Sequence, residues 1–188
     1  MIHSREDLLL FLQEDKTVNL GKIGWLKYIF CKIYKSEHYL AYNYLKALRK
    51  YEYALNCKHG LIGRFQQMYR QWIWHRLSLK YNIYIGPNMV GYGFRIPHII
   101  GGGIMINCKQ MGNYCGANLN VLVGNNSSQE NRPVIGNYVK ILTGSKVYGD
   151  ITIGNHVQIA PNAVVCKDVP DNCIVGGVPA KIIRYNNN

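Results

Sequence analysis

The sequence predicts a mainly β protein: a parallel β-helix over residues 82–188, preceded by a small α-helical region over residues 1–81. Three observations predict it. Ile135, Ile141, Val147, Ile153, Ile159 and Val165 recur six residues apart without a slip. Four residues after each come Val139, Ser145, Ile151, Val157, Ala163 and Val169, a second column in the same phase. Before residue 82 the apolar period is helical instead, and glycine becomes frequent only after it.

In the head, Leu40, Tyr44, Leu48, Tyr51 and Leu55 return every three or four residues, which places them on one face of a helix from Glu37 to Asn56. Ser36 suits the N-cap, and Gly60 follows the C-terminal end. A further helix is expected from Leu61 to Leu79, carrying Phe65, Met68, Trp72 and Leu79. The stretch Trp25 to Lys35 mixes Trp25, Tyr28, Phe30 and Tyr34 with Lys27, Lys32 and Lys35. Such a segment could lie on a membrane interface. The preferred reading is an amphipathic core helix with solvated lysines.

A strict six-residue period fits neither a helix nor the alternation of a hairpin sheet. It fits a solenoid in which one hexamer forms one flat side and three sides, about 18 residues, close a turn. An antiparallel sandwich would show turn signals every 8 to 12 residues or so and no fixed phase. The large column should point inward and the small one should fit the corners, with Gly136, Gly144, Gly149 and Gly154 where the chain bends. Met105, Met111, Ala117 and Val123 extend the large column upstream. The next hexamer would begin at Gln129, which an apolar core excludes, so Asn125 to Pro133 are expected to form an extruded loop, a good place for function.

Apolar residues make up 48% and charged residues 17% of the 188, which argues for a packed core and against a disordered chain. No uninterrupted apolar run has membrane-spanning length. Met1 to Asp15 holds Glu6, Asp7, Glu14 and Asp15 around a short leucine run and lacks the basic start of a signal peptide, so a cytoplasmic protein is expected. Cys31, Cys57, Cys108, Cys115, Cys166 and Cys173 form no C-x-x-C pair and no regular spacing with histidine. Reduced, mostly packed thiols are expected, with neither a zinc site nor a disulfide framework. The net charge of +12 is uneven: residues 1–80 hold 14 Lys/Arg against 6 Asp/Glu, and residues 81–188 hold 8 against 4. Such charge could attract nucleic acid, an anionic membrane or a polyanionic small molecule. No groove-reading or base-stacking motif accompanies it, so a nucleic-acid partner is not expected.

From about Tyr81 to Arg184 the chain resembles the hexapeptide-repeat acyltransferases, and within them the serine acetyltransferase-like branch. The resemblance rests on the repeat, on Ile96-Pro97-His98 followed by Gly101-Gly102-Gly103-Ile104, on Arg132-Pro133-Val134-Ile135-Gly136, and on the closing Gly177-Val178-Pro179-Ala180-Lys181. The short helical head resembles that of relatives encoded among surface-polysaccharide genes. This resemblance implies a left-handed coil and a homotrimer, or a dimer of trimers, with sites between neighbouring β-helices. It implies acetyl-CoA as acyl donor, no metal, and His98 as the base that takes a proton from the acceptor hydroxyl as it attacks the thioester. An imidazole, with an ordinary pKa of about 6.5, suits that task, and general-base catalysis contributes about 10² to 10⁴ in rate. Three glycines soon after His98 let a ligand approach the backbone, whose N–H groups could stabilise an oxyanion. The other histidines, His3, His38, His59, His75 and His156, are read as structural or solvated. Family matching places coenzyme A along Gly124, Thr143 and Pro161, with Lys181 as a partner for a phosphate.

The departures bear on the acceptor. Serine acetyltransferases carry an acidic residue immediately before this histidine and another, which orients the imidazole, before the Ile-x-Pro segment; here those positions are Pro97 and Tyr84. A second histidine that helps hold serine is replaced by Arg132, and the turn from Ile85 to Val90 is one residue short. The acceptor is therefore expected to be a sugar hydroxyl in surface polysaccharide or its precursor, met by Tyr84 and Arg132. Serine O-acetylation in cysteine biosynthesis is the alternative. A zinc enzyme resembling γ-type carbonic anhydrases would need three converging histidines, and the repeat region holds only His98 and His156. A scaffold that kept the coil without chemistry would be indifferent to loss of His98.

Overall fold

In the computed structural model the described residues are 1–125 and 130–186. Four helices come first: α1 (Arg5–Leu20), α2 (Trp25–Ile33), α3 (Glu37–Cys57) and α4 (Gly60–Tyr81). Short strands then wind into three faces. The first face stacks β1 (Ile83–Ile85), β2 (Ile104–Ile106), β5 (Val121–Gly124), β8 (Lys146–Tyr148) and β11 (Val164–Val165). The second stacks β3 (Gln110–Met111), β6 (Val134–Ile135) and β9 (Thr152–Ile153). The third stacks β4 (Gly116–Ala117), β7 (Lys140–Ile141), β10 (Gln158–Ile159) and β12 (Cys173–Gly177), closed by β13 (Ala180–Tyr185), which pairs antiparallel with β12. The other pairings are parallel, and Ile135 lies over Ile153, Ile141 over Ile159 and Val147 over Val165.

The repeat explains the packing. Both six-residue columns from residue 135 onward are buried, and Ser145 tolerates this because its single O–H is shared between the carbonyls of Leu142 (2.7 Å) and Ala160 (2.9 Å). At one corner Asn113, Asn137, Asn155 and Asp171 form a ladder: each side-chain oxygen accepts from a backbone N–H one coil earlier, at Tyr92, Asn113, Asn137 and Asn155. The residue after each rung has a positive φ. At another corner Gly144 has φ +78, and the Asn162 side chain occupies the space of a Cβ there. Upstream the phase differs from expectation. Ile104 and Ile106 are buried and Met105 points outward, because Ile106 lies over Val123. Only five residues separate Ile106 from Met111, as they do Ile85 from Val90, so the early turns are tighter and the column slips by one.

The head docks on the first turns of the coil. Helix α3 buries Tyr44, Leu48 and Tyr51, and the Tyr44 hydroxyl accepts from Ile85 N–H (3.1 Å) and lies 3.3 Å from the Ile83 carbonyl. Ser36 caps α3 as expected. Gly60 opens α4 rather than merely closing α3, whose C-cap is Lys58. Helix α1, which the leucine run did not announce, begins with a capping box between Ser4 and Asp7. Helix α2 is not a core helix, since none of its residues is buried. On α4, Phe65, Met68, Trp72 and Leu79 are exposed. Among the described residues no helix is long and apolar enough to cross a membrane. Cys108, Cys115 and Cys173 are buried, while Cys31, Cys57 and Cys166 are half-buried.

Candidate active site

His98 lies where the coil departs from its own register. Arg95 pairs with Gly116 and Ile104 with Val121, so one corner carries more chain in the first turn than in the second. The surplus, which includes His98 and the three glycines, bulges outward, and the His98 side chain is 56% exposed. A bulge cannot be held by the parallel ladder. Here the head holds it.

The anchoring begins with Arg49, fully buried on α3, whose guanidinium donates to Asp15 (2.8 Å), Glu52 (3.1 Å) and the carbonyls of Val90 (2.9 Å) and Gly91 (2.6 Å). Burial opposes its charge, but Asp15 and Glu52 outweigh burial and raise its pKa further. Asp15 also accepts from Phe94 N–H (3.0 Å). Asn19 acts as a short strand edge, donating to the Phe94 carbonyl (2.8 Å) and accepting from Ile96 N–H (3.0 Å). Beyond His98, one oxygen of Glu37 accepts from Ile99 N–H (2.7 Å) and Ile100 N–H (3.2 Å). Its other oxygen lies 3.4 Å from His98 Nδ1. Residues 94–100 are thus gripped from both sides by α1 and α3.

Glu37 supplies the carboxylate that the residues around Tyr84 and Pro97 lack. It sits in the first turn of α3, where the helix dipole favours negative charge. Partial burial alone would raise its pKa, but the N–H groups of Ile99 and Ile100 and the His98 ring hold it below the ordinary carboxylate value. An ionised carboxylate at Nδ1 selects the tautomer with its proton on that nitrogen and leaves Nε2 free to accept another. One signal could have found Glu37: residues 53–129 contain no Asp or Glu, so a carboxylate beside His98 has to come from outside that stretch.

The glycines divide their roles. A Cβ on Gly102 would meet Asn120, and one on Gly103 would meet the Asn82 side chain, so both serve packing against neighbouring chain. Gly101 has φ +96 and open space. Among the described residues, the N–H groups of Gly101 and Gly102 have no acceptor.

The remaining sequence-derived residues separate by edge. Thr143 and Pro161 lie on the same corner as His98, on later coils, and the Thr143 carbonyl accepts from Asn162 N–H (2.9 Å). Gly124 ends β5, at the far side of the first face, and lies over Tyr148. Lys181 is exposed on β13, over Gly176. Tyr84 points outward from β1, with its ring 5.7 Å from Trp74. It lines a depression with His75, Asn120 and Lys146, and His98 is not among the residues that border it. Arg132 donates to Asn107 (3.2 Å), on the opposite edge of the first face from His98, and its Nε has no partner among the described residues. The middle of the expected extruded loop, residues 126–129, lies outside the described residues. Among the described residues no group of three metal-ligating side chains converges.

The family described as bacterial transferase hexapeptide (six repeats) matches residues 132–167. A serine acetyltransferase of Synechococcus elongatus is 35% identical over 111 residues, covering 57% of this chain and 44% of that protein. The chain spans about half the length of the curated relatives it matches. The crystal structure of the serine acetyltransferase of Neisseria gonorrhoeae superposes with a TM-score of 0.74 at 22% identity, over 98% of this chain and 69% of that one. The same Neisseria protein in complex with serine gives 0.69 at 23%, over 96% and 71%. The Brucella abortus serine acetyltransferase in complex with coenzyme A gives 0.70 at 21%, over 97% and 70%. This likeness establishes the left-handed parallel β-helix preceded by helices.

Proposed function

For a hexapeptide-repeat chain of the serine acetyltransferase branch, we propose acetyl-CoA-dependent O-acetyl transfer with His98 as general base and serine as the acceptor. The observation that carries this reading is the Glu37 carboxylate at His98 Nδ1, 3.4 Å away. It frees Nε2 to take the hydroxyl proton while the oxygen attacks the thioester carbonyl; the thiolate of coenzyme A then leaves, and the imidazolium returns the proton. The N–H groups of Gly101 and Gly102 are suited to the oxyanion. Serine is favoured because the Synechococcus elongatus relative and the Neisseria gonorrhoeae structural neighbour are serine acetyltransferases, the latter solved also in complex with serine. Moreover, Glu37 removes one of the departures that argued against it.

Coenzyme A in this reading runs along the corner of Thr143 and Pro161 and reaches Gly124, with Lys181 toward a phosphate. His98 and Arg132 occupy opposite edges of one face, so a single copy does not unite them. A homotrimer in which the His98 edge of one copy meets the Arg132 edge of the next would. In this reading the protein is cytoplasmic. Residues 1–81 act as the clamp for the site and residues 82–188 as the acyl-transfer domain.

Transfer to a sugar hydroxyl is the second reading, favoured by Pro97 before the histidine and by Arg132 in place of a second histidine. Coenzyme A release by the purified chain, followed with a thiol reagent, separates them. Serine should support rapid release, and a panel of hexoses and N-acetylhexosamines should not. Release with sugars and not with serine would transfer the assignment to the second reading; release with neither would refute both.

A further inference from the structure

We propose that α2 docks the protein on an anionic lipid surface. Successive residues of a helix turn by about 100°, which places Trp25, Leu26, Ile29, Phe30 and Ile33 on one continuous face. All five are exposed, Trp25 by 70% and Leu26 by 73%. The inner stripe is Tyr28 and Cys31, the two half-buried residues of the helix. Tyr28 meets the Tyr39 ring at 5.8 Å, and the Lys16 ammonium lies over it. The apolar face therefore looks away from the protein, the reverse of what a core helix does. Lys27 and Lys32 flank it, where their stems can lie along apolar surface while their ammonium groups reach headgroups.

Charge selects the occupant. Residues 16–36 hold Lys16, Lys22, Lys27, Lys32 and Lys35 and no Asp or Glu. Most carboxylates of the head are engaged elsewhere: Asp7 in its cap, Glu14 on the Tyr114 hydroxyl, Asp15 and Glu52 on Arg49, Glu37 beside His98. Two copies meeting through α2 would bring lysine rims together without a counter-charge. Anionic headgroups supply that charge. Docking also has a consequence for the site. Helix α2 ends at Ile33, four residues before Glu37, which at full extension is within about 14 Å. The carboxylate beside His98 would then lie close to the headgroup layer.

The test is co-sedimentation of the full chain with unilamellar vesicles of phosphatidylcholine alone or with about one third phosphatidylglycerol. The intact chain should sediment with the anionic vesicles and remain in solution with the neutral ones. Trp25→Ser with Phe30→Ser, and separately Lys27→Glu with Lys32→Glu, should each weaken vesicle binding at least about tenfold. Circular dichroism and release of coenzyme A with a soluble acceptor should not change. Absence of binding by the intact chain, or binding by both double variants equal to it, overturns the proposal. So does a change of sedimentation coefficient in the variants without a change in vesicle binding, which would assign the face to a second copy.

Discussion

Replacing Glu37 by Gln isolates the charge beside His98 from the clamp that carries it. Gln keeps one oxygen for the N–H groups of Ile99 and Ile100, so the bulge stays in place, but it presents a neutral group to Nδ1. Two unit charges 3.4 Å apart interact by about 1 kcal/mol in water and about 5 kcal/mol at an effective dielectric constant near 20. The His98 side chain is 56% exposed and that of Glu37 30%, so the solvated end applies and the imidazolium formed during transfer loses about 1 to 2 kcal/mol. That is about 5- to 30-fold in rate. An amide N–H can also donate to Nδ1 and favour the tautomer whose Nε2 already carries a proton, which adds to the loss. We expect kcat for coenzyme A release to fall about 10- to 100-fold with KM for acetyl-CoA unchanged. Glu37→Ala, which also strips Ile99 and Ile100 of their acceptor, should lose more. Rates for Glu37→Gln within twofold of the intact protein would refute a role for this carboxylate in orienting the base.

Three further outcomes follow from the same geometry. Arg49→Met leaves Asp15 and Glu52 buried without their cation and should destabilise the protein by about 3 to 5 kcal/mol in urea unfolding. The Glu37 pKa is lowered by folding, so its stabilising effect is complete above the ordinary carboxylate pKa and is lost only as pH falls through the lower native value. Amide protection at Ile99 and Ile100 should accordingly be constant through neutral pH and collapse in acid. Burial pushes the Cys108 thiol up to about 12 and that of Cys115 to about 11, so neither should be alkylated by iodoacetamide at pH 8 while the protein is folded, whereas the half-buried Cys31, Cys57 and Cys166 should react.

What the sequence disclosed depended on period. Six matched positions from Ile135 to Val165 define the inward column because each hexamer repeats one backbone geometry. Where the geometry changes, the pattern misleads. Met105 keeps the phase on paper and points outward, since the five-residue turn after Ile106 shifts it. Helix α2 has the amphipathic signature of a core helix, and periodicity says nothing about which way the face turns. The site was legible only in part for the same reason. His98 with its glycines is local, but Glu37 lies 61 residues upstream, and Asn19 is 77 residues from the Ile96 N–H it holds. Such contacts belong to the docking of head on coil. The one local trace of them is the absence of acid from residues 53–129.

If His98, held from the head, is the base of acetyl transfer, its loss must show in the rate of the reaction. Coenzyme A release with acetyl-CoA and the best acceptor is measured for the intact protein and for His98→Ala. The variant's rate should fall by about two orders of magnitude or more with coenzyme A binding retained. An unchanged rate in His98→Ala would contradict it.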